Sequence, residues 1–193
     1  IIIKNILVTK RIKSPDIKIK EMWKEYYNAG KFDHISHVGH KRFPYQGKYV
    51  NIDSNRNRHT INPTTADSSS SKTLWFFGGS TMWGTGAESD SVTIPSLVIQ
   101  MLNEGDDDFN YYGVNFGESG YTSTSSLIQL LISLREGKPD AIIFLDGVND
   151  CGNSFLSGLP DVEKEYLIKK YIVENKRDPD HSISKIIYFM RRF

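Results

Sequence analysis

Three short apolar runs, each stopping at glycine, constrain this chain more than any other feature of its sequence. Leu74-Trp75-Phe76-Phe77 ends in Gly78-Gly79, Tyr111 to Phe116 ends at Gly117, and Ala141-Ile142-Ile143-Phe144-Leu145 ends in Asp146-Gly147. Continuous apolar runs of this length are the mark of strands buried on both faces, and glycine lets the chain turn tightly at their ends. Between them lie two helical stretches. Ile94-Pro95 to Leu102 carries Leu97, Val98, Met101 and Leu102 on one stripe, and Ser125 to Arg135 is strongly apolar and closed by Gly137 and Pro139. Strand–helix–strand–helix–strand with short joints predicts right-handed βαβ units and an α/β fold with a parallel sheet. In such sheets ligands bind beyond the carboxyl ends of the strands.

The amino-terminal part reads differently. Ser14-Pro15-Asp16 is a helix start, with a capping residue, a first-turn proline and an acid suited to the helix dipole. Ile19, Met22, Trp23, Tyr26 and Tyr27 follow as a helical stripe closed by Gly30. Residues 31–63 are polar and suggest loops with a hairpin, and Asp67-Ser68-Ser69-Ser70-Ser71 has the composition of a linker. This divides the chain into an amino-terminal helix and loop extension, 1–71, and a main domain, 72–193. At 193 residues the chain is long enough to bury a core.

Composition excludes several classes. The chain is 38% hydrophobic and 24% charged, with net charge +1 and no basic run, so nothing predicts a nucleic-acid partner. A single cysteine, Cys151, rules out an internal disulfide and a cysteine-based metal cluster. No run is long enough for a membrane helix. The chain opens on Ile1 without an initiator Met, which reads as a trimmed or processed piece.

The chemistry sits at the strand ends: Gly78-Gly79-Ser80-Thr81, Asn115-Phe116-Gly117-Glu118-Ser119-Gly120 and Gly147-Val148-Asn149-Asp150. Acyl transfer needs a nucleophile on a tight turn and donors aimed where oxyanion charge develops. Ser80 supplies a hydroxyl, Gly120 a bare main-chain amide, and Asn149 a neutral side-chain donor. Other glycine-rich readings fail. A phosphate-binding loop needs lysine where Thr85 follows Gly84. A dinucleotide fingerprint needs glycine at Ser89, and a nucleophile elbow needs glycine at Met82.

Gly78-Gly79-Ser80-Thr81, Asn115 to Gly120 with Tyr121-Thr122-Ser123, and Gly147-Val148-Asn149-Asp150 together resemble the conserved blocks of the SGNH/GDSL hydrolases, over roughly Lys72 to Asp150. The resemblance implies a three-layer α/β/α sandwich of the flavodoxin-like kind and a serine esterase with no metal or organic cofactor. Ser80 would be the nucleophile, and Ser80, Gly120 and Asn149 would form the oxyanion hole. It implies a small-molecule or glycan ester as substrate, with loss of acetyl or another short acyl group. It also favours an extracytoplasmic or cell-envelope address while leaving the cytoplasm open. An O-acyltransferase using the same site, and a non-catalytic binding module, are the competing readings.

The family's Asp-x-x-His, with His as base, is the point of departure. Asp178-Pro179-Asp180-His181 has the spelling but follows Asn149 too closely to admit another strand–helix–strand passage, and the stripe Ile183, Ile186, Ile187, Met190 stops at Phe193. The expected base therefore lies beyond Phe193, with His181 as the alternative. His34, His37 and His40 invite a metal reading, but without a nearby cysteine they read as a solvated loop, as does His59; one of them as a surrogate base is a further alternative. Trp83 and Tyr121, each following a block, either line a substrate cleft or pack in the core. Glu118 and Asp146 receive no role.

Overall fold

The computed structural model describes residues 17–64, 70–105 and 108–158. The expected cap at Ser14–Asp16 and the Asp178–His181 segment lie outside these residues. The chain divides into two compact units, the first ending at Gly147 and the second beginning at Val148.

In the first unit, helix α1 spans Ile17–Asn28 and buries Met22 and Tyr26. A hairpin follows, β1 (Phe32–Ile35) against β2 (Gly39–Arg42), with His34 opposite His40 and His37 at positive φ in the turn. A second small pair joins β3 (Tyr45–Gln46) to β4 (Asn51–Ile52). The main sheet is parallel, in the order β6 (Asn110–Asn115), β5 (Ser71–Gly78), β7 (Ala141–Leu145). Helix α2 (Ser80–Trp83) leaves β5, α3 (Ile94–Gly105) precedes β6, and α4 (Ser123–Ser133) precedes β7. The α/β expectation is met in this form.

The strand order decides the geometry. The chain moves from β5 to one neighbour, β6, then crosses back to the other, β7. Right-handed crossovers in opposite directions place α3 and α4 on opposite faces and open a crevice at the carboxyl end of β5. On one face Leu74 and Phe76 pack with Met82 and Ile99, flanked by Ile94, Val98, Leu102, Tyr111 and Ile143. On the other, Phe77 stacks on Phe116 at 4.9 Å and on Phe144 at 5.3 Å between ring centroids. Phe76 and Phe77 are fully buried, each contributing about 2–3 kcal/mol of apolar burial.

One expectation changes. Ala141–Leu145 was expected to be buried, yet Ile142, Phe144 and Leu145 are each more than a third exposed. Among the described residues β7 pairs only with β5, so it is an edge strand with one covered side. The polar stretch 31–63 holds the hairpin expected of it and also meets the sheet. Arg58 bridges β4 at Ile52 and the edge of β6 at Asn115, carrying the sheet ladder into the amino-terminal segment. Val50, Ile52 and Tyr49 share a core with Met22, Tyr26 and Trp83.

The second unit begins at Val148. Its described part is helix α5 (Val148–Ser157), with Asp150 in the first turn, where a negative charge suits the helix dipole. No helix among the described residues is long and apolar enough to cross a membrane.

Candidate active site

Ser80 is the first residue of α2, directly after the carboxyl end of the central strand. Gly78 makes this turn possible, because a Cβ there would lie 2.4 Å from the Leu145 carbonyl oxygen and 2.9 Å from Met82 Cβ. The turn closes at Gly84, in the left-handed conformation at φ 89°, whose N–H donates to the carbonyls of Ser80 and Thr81. The Ser80 hydroxyl is half-buried and has no hydrogen-bond partner among the described residues. As the first helical residue, Ser80 also has no intrahelical acceptor for its N–H. It lines a cleft of about 380 Å³ with Thr81, Gly84, Thr85, Ala87, Val92, Thr93 and Ile94.

The second block is stitched to this turn by its backbone. Phe116 N–H donates to Phe76 O at 2.8 Å and Glu118 N–H to Gly78 O at 3.0 Å. Asn115 Nδ2 donates to Met82 O at 3.1 Å while its Oδ1 accepts from Gly117 N–H at 3.0 Å. Gly117 lies so close that a Cβ would meet Trp83 N at 2.7 Å. Ser119 Oγ and Thr85 Oγ1 are 3.3 Å apart. Gly120 holds φ at 87°, a conformation that glycine adopts without strain, and its N–H donates to nothing among the described residues. Thr122 caps α4 by accepting from Ser125 N–H. At the end of β7, Ser126 Oγ donates to Asp146 Oδ1 at 3.1 Å.

Ser80 and Gly120 thus belong to one compact unit. Asn149, the third predicted residue, lies in α5 of the second unit.

Trp83 and Tyr121 belong to the packed interior. Both are buried, Trp83 beneath two guanidinium groups, Arg42 at 3.8 Å and Arg58 at 4.6 Å from the ring centroid. Tyr121 donates its hydroxyl to His40 O at 2.7 Å. The cluster around them was not legible in the motifs. Glu118, almost fully buried, pairs with Arg42 of β2, whose Nη2 also donates to Ser119 Oγ at 3.0 Å. Burial pushes Arg42 down to about 10, with the nearby charge of Arg58 adding to the effect, and it stays protonated at neutral pH. Arg58, fully buried, donates to Asp90, Tyr26, Gly84 and Tyr49. Nothing in the spacing of Arg42 or Arg58 sets them apart from other arginines in a polar stretch.

Of the histidines, His34 and His37 are exposed on the β1–β2 hairpin and His59 is exposed beyond β4, while His40 packs edge-on against Tyr121. Among the described residues no three His, Cys, Asp or Glu side chains group as a metal site.

No protein-family model matches the chain, and no curated protein matches it. The crystal structure of TesA is similar to it at 31% identity, over 46% of this chain and 45% of the TesA chain, with a TM-score of 0.37. The chain therefore spans less than half the length of that protein.

Proposed function

We propose that the chain is a serine-dependent carboxylic-ester hydrolase of the SGNH/GDSL kind, built on that family's three-layer fold. One observation carries the reading. A serine hydroxyl without a partner among the described residues stands at the carboxyl end of the central strand, on a cleft, and the loop bearing Gly120, whose amide likewise has no partner among those residues, is fastened to the same turn. A capping role does not explain Ser80, because the cap position of α2 is Gly79 and the Ser80 hydroxyl makes no hydrogen bond among the described residues.

In the mechanism, Ser80 Oγ attacks the ester carbonyl and loses its proton to a base, the alcohol leaves, and water releases the acyl group from Ser80. Ser80 N–H and Gly120 N–H are the main-chain donors to the tetrahedral oxyanion, each worth about 3 kcal/mol. Asn149 is assigned the third donor on its Gly-x-Asn-Asp motif alone. The cleft is small and mixed in character, with Ala87, Val92 and Ile94 beside three threonines, which suits a short acyl group on a polar alcohol such as a glycan.

Hydrolysis of aryl acetates by the full natural chain, against Ser80→Ala, tests the reading. Turnover that falls by at least about 10³-fold in the variant supports it. Acyl transfer to an added sugar, in place of release to water, would move the assignment to an O-acyltransferase. Binding of an acylated glycan without turnover would move it to a binding module.

A further inference from the structure

The amino-terminal hairpin grips the loop that carries Gly120 from both sides. Before Gly120, Arg42 of β2 pairs through Nη1 with Glu118 Oε1, donates its main-chain N–H to Glu118 Oε2 at 3.3 Å, and donates Nη2 to Ser119 Oγ at 3.0 Å. After Gly120, Tyr121 donates its hydroxyl to the carbonyl of His40, two residues back along the same strand. The guanidinium also lies over Trp83, the last residue of the nucleophile's helix, whose main-chain N abuts Gly117. We propose that Arg42 is a positioning residue, which sets the conformation of the Glu118–Gly120 loop and so aims the Gly120 amide. Its catalytic consequence rests on the esterase reading above.

Three observations argue against an incidental ion pair. Glu118 is 2% exposed, and a carboxylate so buried needs a partner to stay charged. That carboxylate folds back on its own loop, accepting from Ser119 N–H at 2.7 Å, so whatever fixes Glu118 also fixes the peptide before Gly120. The Gly120 N–H makes no hydrogen bond of its own among the described residues, so its direction is set by its flanks. One planar fork reaches Glu118, Ser119 and the Trp83 ring together, which a lysine ammonium cannot do.

The test compares wild type with Arg42→Gln, Arg42→Lys and Ser119→Ala. Two readouts are taken: the ¹⁵N–¹H resonances of Ser119, Gly120 and Tyr121, and steady-state kinetics on phenyl acetate per titrated active site. Arg42→Gln should shift the Gly120 resonance and lower kcat per site by about 10- to 100-fold, with KM moving less than about threefold. Arg42→Lys should fall between, and Ser119→Ala, which keeps the Glu118 pair, should lose less in the same direction. An unmoved Gly120 resonance in Arg42→Gln overturns the proposal, as does full recovery by lysine. A shifted resonance with unchanged kcat overturns its catalytic part. If Arg42→Gln does not fold, Ser119→Ala decides, an unmoved Gly120 resonance there being contradictory. If wild type shows no Ser80-dependent turnover, the esterase reading falls, and the loop clamp is judged on the resonances alone.

Discussion

Replacing Arg58 by methionine is the sharpest test of how the amino-terminal segment is joined to the sheet. The side chain is wholly buried, and its fork makes four bonds: Nε to Asp90 at 2.9 Å, Nη1 to Tyr26 Oη and to Gly84 O at 2.9 Å each, and Nη2 to Tyr49 O at 3.0 Å. Methionine refills much of the volume, so the loss is mainly polar. Gly84 O keeps the Tyr26 hydroxyl at 2.7 Å, and Asp90 keeps Asn51 Nδ2 at 2.7 Å and Asn51 N–H at 3.3 Å. Tyr49 O loses its Nη2 donor, and the buried Asp90 carboxylate loses its counter-charge. Removing one member of a buried pair costs about 3–5 kcal/mol. Against the usual total of about 5–15 kcal/mol, the variant would be marginal. Urea unfolding followed by tryptophan fluorescence reads the change, because Trp83 packs against this guanidinium. Adding Asp90→Asn removes the uncompensated charge and should restore at least about 1 kcal/mol. A loss below about 1 kcal/mol, or a double variant no more stable than the single one, would refute the reasoning and return residues 17–64 to the status of a detachable extension.

Gly117→Ala would place its Cβ 2.7 Å from Trp83 N and 3.0 Å from both Met82 C and Asn115 Oδ1. Two of these are backbone and cannot rotate away, so a loss of about 1–3 kcal/mol is expected in thermal unfolding, with kcat down at least about tenfold as the loop moves from the serine turn. Burial holds Lys41 at about 8, well below its ordinary 10.5, with Asp53 opposing. Between those values the unfolded chain binds a proton that the folded chain does not, so stability rises with pH across that window, by about 3 kcal/mol, and the penalty is fully present below pH 8. The stability of wild type minus that of Lys41→Met, measured by urea titration, isolates this group. It should be flat below pH 8 and climb above it; a flat difference up to pH 10.5 would contradict the assignment.

The sheet was legible because its signal is local and periodic. Leu74–Phe77 and the glycines after it read as a buried strand entering a turn, whereas the strand order β6-β5-β7 came only with the structure, because crossover handedness does not choose which edge the next strand takes. Ser80 and Gly120 were singled out for the same reason, since each follows a strand end where backbone geometry restricts residue type. Arg42, Arg58 and Asp90 were not. Their meaning comes from partners distant in the chain, Glu118 for Arg42 and Tyr26, Tyr49 and Gly84 for Arg58, and a polar stretch of Asn, Arg and His has no periodicity to reveal which side chains turn inward. Trp83 shows the limit from the other side. An aromatic after a nucleophile motif suits a cleft or a core equally, and the two arginines that cover it decide for the core.

In the proposed mechanism Ser80 carries the acyl group. Treating the full natural chain with a fluorophosphonate and mapping the adduct by peptide mass spectrometry tests it most directly. The account predicts one adduct per chain, on the peptide containing Ser80, and none in Ser80→Ala. An adduct on another residue, equal labelling of the variant, or an unreactive Ser80 in a folded wild-type chain would contradict it.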